Sequence, residues 1–387
     1  MPNLPLSGVR VLDLSRLLPG PFCSMLLAEL GAEVIKIEDP NGGDYLRWFP
    51  PLTGHSGSQF IAINRGKKSI ALALKPSEGK EILHQLIGTA DVVLESFRPG
   101  VMQRLGFGLD ELVKQHPRLV CCAISGYGQD GPMKERAGHD IDYLAIGGAF
   151  SLMGLPPKVL PIQVADIAGG ALYAALGITA ALFGRERSGR GRVLDISMTE
   201  GSLSFMTIAM AQAWGEQRPL TPGGELLNGG LPGYRLYQTA DGGHLAVGAL
   251  EPKFWKEFVD VIGLPQLEDK GLSVGDEAVM QAVAARIKEK TRAEWEALFA
   301  ARDACVEPVL TLSELASHPQ HQARNAIIET PEGPIIRSPM HRLHNNAPKP
   351  APALGENTQE LLASLGYSAE QLRALEEQSV IQQWRPE

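Results

Sequence analysis

Residues 9–38 have the sequence VRVLDLSRLLPGPFCSMLLAELGAEVIKIE, in which two runs rich in aliphatic residues flank a helical pattern. The runs at residues 9–14 and 33–38 predict strands, and residues 22–30 predict a helix that ends at Gly31. A strand, a helix and a second strand joined by short connections are typical of a parallel βαβ unit. The start of the chain therefore predicts the start of a parallel sheet.

The same alternation of strand and helix patterns continues as far as residue 197. Further strands are predicted at residues 69–74, 90–94, 119–124 and 192–197, with helices at residues 77–86 and 109–115 between them. This order predicts an α/β fold with a parallel, doubly wound sheet and helices on both faces. In such sheets the ligand usually lies in a crevice at the carboxyl ends of the strands.

Three segments divide the chain. A loop rich in proline and glycine at residues 219–233 precedes a hairpin pattern at residues 234–249, which opens a second, smaller domain. The proline-rich residues 331–352 are expected to return the chain to the first domain, where residues 357–375 predict a last helix. We therefore predict a large domain over residues 1–220, a small domain over residues 221–330, and a returning segment over residues 331–387.

Composition excludes several classes of protein. The 387 residues include 36 Lys+Arg against 44 Asp+Glu, a net charge of −8, and 44% of them are hydrophobic. This balance is typical of a globular protein and argues against a nucleic-acid partner, which usually meets a basic face. The four cysteines show no CxxC spacing, and two are adjacent in an apolar run, so we expect buried thiols in a reducing, cytoplasmic compartment.

One uncharged run is long enough to raise the question of a membrane. Residues 167–184 carry no charge, but four glycines and many alanines favour a tightly packed core helix over a membrane span. The first residues show no basic region followed by a long apolar stretch, so no signal peptide is expected. We predict no membrane partner.

Two patterns suggest ligands without specifying them. Residues 126–131 (GYGQDG) match GxGxxG after a strand, but proline and charged residues follow, so a tight loop is favoured over dinucleotide binding. Basic residues cluster at residues 64–69 and 98–104, which either bind a phosphorylated ligand or form a solvated face. No P-loop, GxSxG or HExxH motif is present.

His139 lies in the string AGHDIDY, just before an apolar helical pattern. Gly138 allows the backbone to approach a ligand closely, and a helix start beside His139 would supply backbone N–H groups for an oxyanion. The alternative is that Asp140 caps the helix and the histidine is incidental.

Two carboxylates, like His139, have either a structural or a catalytic role. Asp166 immediately precedes the Gly/Ala-rich helix, where it is either an N-cap or a carboxylate kept ionised by the helix, able to act as a base or a nucleophile. Glu251 precedes Pro252 at the start of another helix. It either caps that helix or orients a histidine by accepting its second N–H group.

Taken together, ordered motifs along nearly the whole chain resemble the family III coenzyme A transferases, whose close relatives include the 2-methylacyl-CoA racemases. The motifs include NRGKKSIALALKPSEGKE, ADVVLESFRPGVMQRLGFG, GHDIDYLA, VADIAGG, RGRVLDISMTEG and GALEPKFW. The resemblance implies a Rossmann-like large domain, a smaller α+β domain and an interlocked homodimer.

Three features resemble the racemases within this family. His139 stands where transferases usually have an aromatic residue, the loop NGGLPGY has the racemase form, and Glu251 matches a glutamate that pairs with the histidine. Three others depart from the family pattern or lean towards the transferases. Asp39 replaces a common arginine, Ala73 replaces an acid, and residues 48–59 look more like a transferase.

The resemblance implies an acyl-CoA substrate and inversion of its α-carbon by 1,1-proton transfer between His139 and Asp166. The backbone N–H of Asp140 would then stabilise the enolate, and Glu251 would orient the histidine. The alternative within the family is CoA transfer between carboxylic acids, with Asp166 as the nucleophile. A catalytically silent CoA-binding protein is the third hypothesis.

The resemblance also implies where coenzyme A lies. The matching positions are Leu72, Ala73, Leu74, Lys75, Ser96, Phe97, Arg98, Arg104 and Gly138. No metal or cofactor is implied beyond coenzyme A as part of the substrate.

Overall fold

A computed structural model of the protein describes residues 4–54, 56–331, 333–343 and 349–385. Its strands are β1 (Arg10–Asp13), β2 (Glu33–Glu38), β3 (Leu52–Thr53), β4 (Ser56–Gly57), β5 (Lys68–Leu72), β6 (Val92–Glu95), β7 (Val120–Ser125), β8 (Val193–Ser197), β9 (Tyr234–Gln238), β10 (His244–Gly248), β11 (Val306–Pro308), β12 (Ile327–Thr330), β13 (Gly333–Ile336) and β14 (Ile381–Gln382).

The α-helices follow the same order. They are α1 (Pro19–Glu29), α2 (Ser58–Asn64), α3 (Ser77–Ile87), α4 (Val101–Leu105), α5 (Leu109–Gln115), α6 (Asp140–Ile146), α7 (Tyr173–Ser188), α8 (Met198–Ser204), α9 (Thr207–Glu216), α10 (Pro252–Val261), α11 (Glu277–Ile287), α12 (Arg292–Phe299), α13 (Pro319–Ala323), α14 (Thr358–Ser364) and α15 (Ala369–Glu377). A π-helical segment, Ala165–Leu172, runs directly into α7.

The main sheet has seven strands in the order β14-β5-β2-β1-β6-β7-β8. All neighbouring strands are parallel except β14, which is antiparallel to β5. The side chains of α3, α14 and α15 pack in one hydrophobic cluster with the sheet, whereas α1 and α7 contact the sheet outside that cluster and so cover its other face. The predicted α/β fold with a parallel sheet is confirmed.

The long apolar helix is part of this packing. Among the described residues, Ala165–Ser188 is the candidate membrane span by length and hydropathy, a weak indication that core helices also give. It packs against α1, β7 and β8. We therefore interpret it as a helix of the fold, as the glycine and alanine content predicts.

The chain divides into two compact units. The first comprises Met1–Gly147, Leu160–Ser204 and Gln322–Glu387, and the second comprises Gly148–Val159 and Phe205–His321. In the second unit, the predicted hairpin forms as β9 and β10, β11 pairs antiparallel with β10, and the helices α10 to α12 bury a separate aromatic core. The boundaries at residues 220 and 330 stay predictions of the domain division.

The last segment differs from its predicted single helix. Gly366 has φ 95°, a left-handed conformation that ends a helix, so residues 357–375 form two helices, α14 and α15. After them the chain adds the short strand β14 to the edge of the main sheet. Two residues are too few to give a strand pattern in the sequence, because alternation needs a longer run.

Candidate active site

A cavity of about 480 Å³ lies at the carboxyl ends of β1, β6, β7 and β8, the edge at which the fold predicts a ligand. Six of the residues predicted for the site line this cavity together: Ser96, Phe97, Arg98, Gly138, His139 and Asp166. They come from the segment after β6, the start of α6 and the π-helical segment, which are far apart in sequence. The fold thus gathers the predicted acid/base pair at one place.

His139 is the N-cap residue of α6, with an extended backbone. Its backbone N–H donates to the carboxylate of Asp142 at 2.9 Å, which fixes the entry of the chain into the helix. Asp140 is the first helical residue, so the interpretation of Asp140 as the N-cap is wrong. The N–H of Asp140 lies in the first turn, where backbone donors have no acceptor within their own helix.

The segment before His139 is held by two tyrosines. The Tyr143 hydroxyl donates to the carbonyl of Gly138, and the Tyr127 ring packs edge-on against Tyr143 with centroids 5.3 Å apart. A Cβ on Gly138 would lie 2.8 Å from both tyrosines, and one on Gly126 would lie 2.5 Å from the Tyr143 ring. Only glycine fits at these two positions, so the close approach expected at Gly138 is an approach to protein side chains.

Asp166 has a carboxyl group that is mostly buried. It is the second residue of the π-helical segment rather than the residue before a helix, and its backbone N–H donates to the Asp140 carboxylate at 3.0 Å. Burial, and then the negative charge of Asp140, raise the pKa of Asp166 to about 7. The N-cap residue of this segment is Val164, so the interpretation of Asp166 as an N-cap is wrong. The direction of the pKa change is also opposite to the expected stabilisation of the ionised carboxylate by the helix start.

Glu95 is a residue of this edge that the sequence analysis missed. It ends β6, is buried, and accepts the backbone N–H of Phe97 at 2.7 Å, which holds the turn carrying Phe97 and Arg98. Burial is the main cause that raises the pKa of Glu95 to about 8, with a further contribution from Asp195. The sequence feature that could have identified Glu95 is its position at the carboxyl end of a predicted central strand of the parallel sheet.

Not all predicted CoA-binding residues lie at the cavity. Leu72 is buried in the hydrophobic core, and the N–H of Ala73 donates to the carbonyl of Val380 at 2.8 Å. Leu74 packs partly against that core, Lys75 is exposed, and Arg104 is exposed on α4. These five residues lie outside the cavity lining, and their contact with coenzyme A stays a prediction.

Glu251 belongs to the second compact unit. It is exposed at the N-cap position of α10, and its carbonyl accepts the N–H groups of Phe254 and Trp255, both at 3.0 Å. Glu251 therefore occupies the N-cap position, but its exposed side chain makes no capping hydrogen bond, and the pairing of its carboxylate with His139 stays a prediction.

The basic residues of the cluster at residues 64–69 form ion pairs with acids of the protein. Arg65 pairs with Glu29 at 2.5 Å, and Lys67 pairs with the buried Asp13 at 3.2 Å. Lys68 forms ion pairs with two glutamates, one of them at 2.7 Å. Arg65 and Lys67 are buried and paired within the protein, so the prediction of a solvated face is wrong for these two residues. Contact of the cluster with a phosphorylated ligand stays a prediction.

The comparison with known proteins decides the family. A model of CoA-transferase family III matches residues 6–358. The chain belongs to CoA-transferase family III. The resemblance drawn from the sequence motifs is thus confirmed, and the chain is an enzyme of this superfamily of transferases and racemases.

Relatives of this family III chain include both kinds of enzyme. It is 38% identical to the alpha-methylacyl-CoA racemase of Homo sapiens over 392 aligned residues, and the alignment covers 97% of each chain. It is 32% identical over 379 residues to the succinyl-CoA:glutarate CoA-transferase of Mus musculus, which covers 92% of this chain and 86% of the other. A crystal structure of a CaiB/BaiF family protein from Brucella suis is similar with a TM-score of 0.81 and 28% identity, covering 94% of this chain and 100% of that one.

Proposed function

We propose that this protein is a racemase that inverts the α-carbon of 2-methylacyl-CoA thioesters. The observation that carries the proposal is that His139 and Asp166, two groups able to exchange protons, line one cavity at the carboxyl edge of the sheet. The alpha-methylacyl-CoA racemases among its relatives, at 38% and 39% identity over 97% of the chain, support the same reaction.

The reaction needs two acid/base groups because each epimer presents its α-proton on a different face. One of His139 and Asp166 removes the proton, and the C–H electron pair moves into the thioester to form an enolate. The other group donates a proton to the opposite face, the carbonyl re-forms, and the two groups exchange roles in the reverse direction. The backbone N–H of Asp140 stabilises the negative oxygen of the enolate.

The ionisation of Asp166 suits this role. With a pKa of about 7, the carboxyl group is present in both protonation states near neutral pH, so it can either accept or donate a proton. An ordinary surface aspartate is almost wholly ionised there and is a weak acid catalyst.

The remaining assignments follow the family resemblance. The CoA moiety lies along Leu72–Lys75, Ser96–Arg98 and Arg104, which places the thioester towards His139. Two chains form an interlocked homodimer, in which the small domain of one chain faces the large domain of the other. Glu251 accepts the second N–H of the histidine and fixes its orientation.

CoA transfer between carboxylic acids is the second candidate, favoured by the transferases among the relatives. In that reaction the Asp166 carboxylate attacks the thioester carbonyl, which forms a mixed anhydride and releases CoA as its thiolate. The thiolate attacks the aspartyl carbonyl, which gives an Asp166–CoA thioester and releases the donor acid. The carboxylate of the acceptor acid then attacks this thioester, and the released thiolate attacks the acyl carbonyl of the second anhydride, which gives the new acyl-CoA and restores Asp166. A carboxyl with a pKa of about 7 is partly protonated at neutral pH, and the protonated form is not nucleophilic. About half of the groups are ionised at neutral pH and able to attack, so a pKa of about 7 is compatible with both reactions.

The variant His139→Ala separates the two reactions, whereas Asp166→Ala does not, because both mechanisms use the aspartate. Both activities of the variant are measured, epimerisation of (S)-2-methylacyl-CoA and transfer of CoA to added carboxylic acids. The proposal expects epimerisation to fall by at least about a hundredfold, since one of the two proton carriers is lost. A variant that keeps epimerisation near the wild-type rate would contradict it.

A further inference from the structure

The backbone of the turn after β1, residues 15–17, is fixed by hydrogen bonds to side chains. The backbone N–H groups of residues 15–17 each donate to a side chain. Their acceptors are, in order, Asp13 Oδ1 at 2.9 Å, Ser96 Oγ at 3.1 Å and Asp44 Oδ1 at 3.2 Å. Three elements of the fold thus fix three successive peptide groups at the edge of the cavity.

The acceptors are themselves fixed by buried charges. Asp13 pairs with Lys67 at 3.2 Å, and Asp44 pairs with Lys36 at 3.0 Å, with all four side chains inaccessible to solvent. The Lys36 ammonium group also donates to the carbonyl of Ser15 at 2.8 Å. A buried network of this kind leaves the turn little freedom, because a broken pair would leave a charge without hydration.

The network maintains a strained backbone. Leu17, which lines the cavity, has φ 62°, a left-handed conformation that a leucine rarely adopts. Strain of this kind persists only where the surrounding structure enforces it, and it collects at ligand sites. The residue that this arrangement places at the cavity is its neighbour, Arg16.

Arg16 lies near two aromatic rings. Its guanidinium carbon is 5.5 Å from the centre of the Tyr45 ring and 5.6 Å from that of Phe97. One nitrogen lies 3.4 Å from the Tyr45 hydroxyl, and no Asp or Glu in the part of the chain that the structure describes forms an ion pair with this guanidinium. A guanidinium has five N–H donors, and apart from the long contact with the Tyr45 hydroxyl the described residues give this side chain no hydrogen-bond acceptor, so donors remain for a planar anion.

We propose that Arg16 binds a carboxylate carried by the acyl group, so that the enzyme prefers acyl-CoA thioesters that end in a second carboxylate. A guanidinium fork matches a carboxylate through two parallel hydrogen bonds. The inference rests on the proposed function, since it places the acyl group in the cavity that Arg16 shares with His139 and Asp166.

A phosphate of coenzyme A is the other anion of suitable chemistry. Arg16 shares the cavity with the acid/base pair, which is where the acyl group lies in the proposed reaction, but also with Ser96–Arg98, which are predicted to contact CoA. We assign the acyl carboxylate because of the first neighbourhood, and the experiment separates the two anions. The two sources differ in one measurable respect. Loss of a phosphate contact weakens all CoA thioesters equally, whereas loss of a carboxylate contact weakens only those that carry the carboxylate.

The test uses a matched pair of thioesters, 2-methylglutaryl-CoA with the thioester next to the methyl-bearing carbon, and its 5-methyl ester. Binding of each is measured by calorimetry, and α-deuterium exchange gives kcat/KM. The proteins are the wild type, Arg16→Gln, Arg16→Lys and the control Arg373→Gln, which removes an exposed arginine of α15. Calorimetry reports recognition of the carboxylate even where no proton is exchanged.

We expect the wild type to bind the free carboxylate at least about tenfold more tightly than the ester, since a charge-assisted pair is lost in the ester. Arg16→Gln abolishes this preference while leaving the ester nearly unchanged, Arg16→Lys retains part of it, and Arg373→Gln retains all of it. Equal weakening of both thioesters, or a wild type without preference, overturns the inference. Preference in binding without deuterium exchange supports the carboxylate site and contradicts the proposed proton transfer.

Discussion

Replacing Asp166 by asparagine removes a group whose ionisation opposes folding. Burial and the nearby Asp140 raise the pKa of Asp166 from 3.8 to about 7 in the folded protein. Because the folded-state pKa lies above the unfolded one, the stability from the neutral carboxyl is fully present below pH 3.8. It is lost as the pH rises through 7. Asparagine cannot ionise, so the variant Asp166→Asn lacks this loss.

The size of the effect follows from the two pKa values. The full difference is worth about 4 kcal/mol, at about 1.4 kcal/mol for each pKa unit. Between pH 5 and pH 8 the free energy of unfolding of the wild type is expected to fall by about 2.5 kcal/mol relative to the variant. Other titrating groups cancel in this difference, because both proteins carry them.

The measurement is urea unfolding of wild type and Asp166→Asn at pH 5, 6, 7 and 8. A second pair in the Asp140→Asn background provides the control, since removal of that negative charge lowers the pKa of Asp166 and shrinks the pH-dependent loss. A difference between wild type and variant that stays constant within about 0.5 kcal/mol from pH 5 to pH 8 would refute the reasoning. A difference that grows in favour of the wild type would refute it as well.

Two further predictions concern the pair and the loop before it. The kcat/KM values of the two epimers should follow the same bell-shaped pH profile, with one limb near pH 7. Each productive form of the pair holds a single proton, either on Asp166 or on His139, so the two forms are gained and lost together as the pH changes. Profiles of different shape for the two epimers would contradict this. Gly138→Ala should lower kcat by at least about tenfold, because the new Cβ would lie 2.8 Å from Tyr127 and Tyr143 and displace the chain before His139. Steady-state kinetics measures this effect, and an unchanged kcat would show that the close contact is relieved without moving the histidine.

Much of the fold could be predicted because the strands are buried and uniformly apolar. Residues 33–38 were assigned without error, and the parallel order of the sheet follows from strands that alternate with helices. The break at Gly366 and the strand β14 could not be predicted with the same ease. A glycine in a helical pattern is ambiguous, and β14 depends on an edge that only the folded sheet provides.

The candidate site was predicted in part, and the errors have physical causes. His139 and Asp166 follow from motifs that resemble a family, whereas the raised pKa of the aspartate depends on burial and on Asp140, which a sequence does not show. The basic cluster at residues 64–69 suggested a ligand, yet its partners are acids distant in sequence. Arg16 went unnoticed as a lone arginine, since its setting arises only when three elements meet.

The central claim is proton transfer at the α-carbon, and isotope incorporation tests it most directly. Purified protein is incubated in deuterated buffer with (R)- or (S)-2-methylacyl-CoA and without a carboxylic acid acceptor, and the products are analysed by mass spectrometry and chiral separation. The account predicts deuterium at the α-carbon and convergence of both epimers to the same mixture. Absence of deuterium with several acyl chains, together with CoA transfer once an acceptor acid is added, would contradict it and assign Asp166 the role of nucleophile.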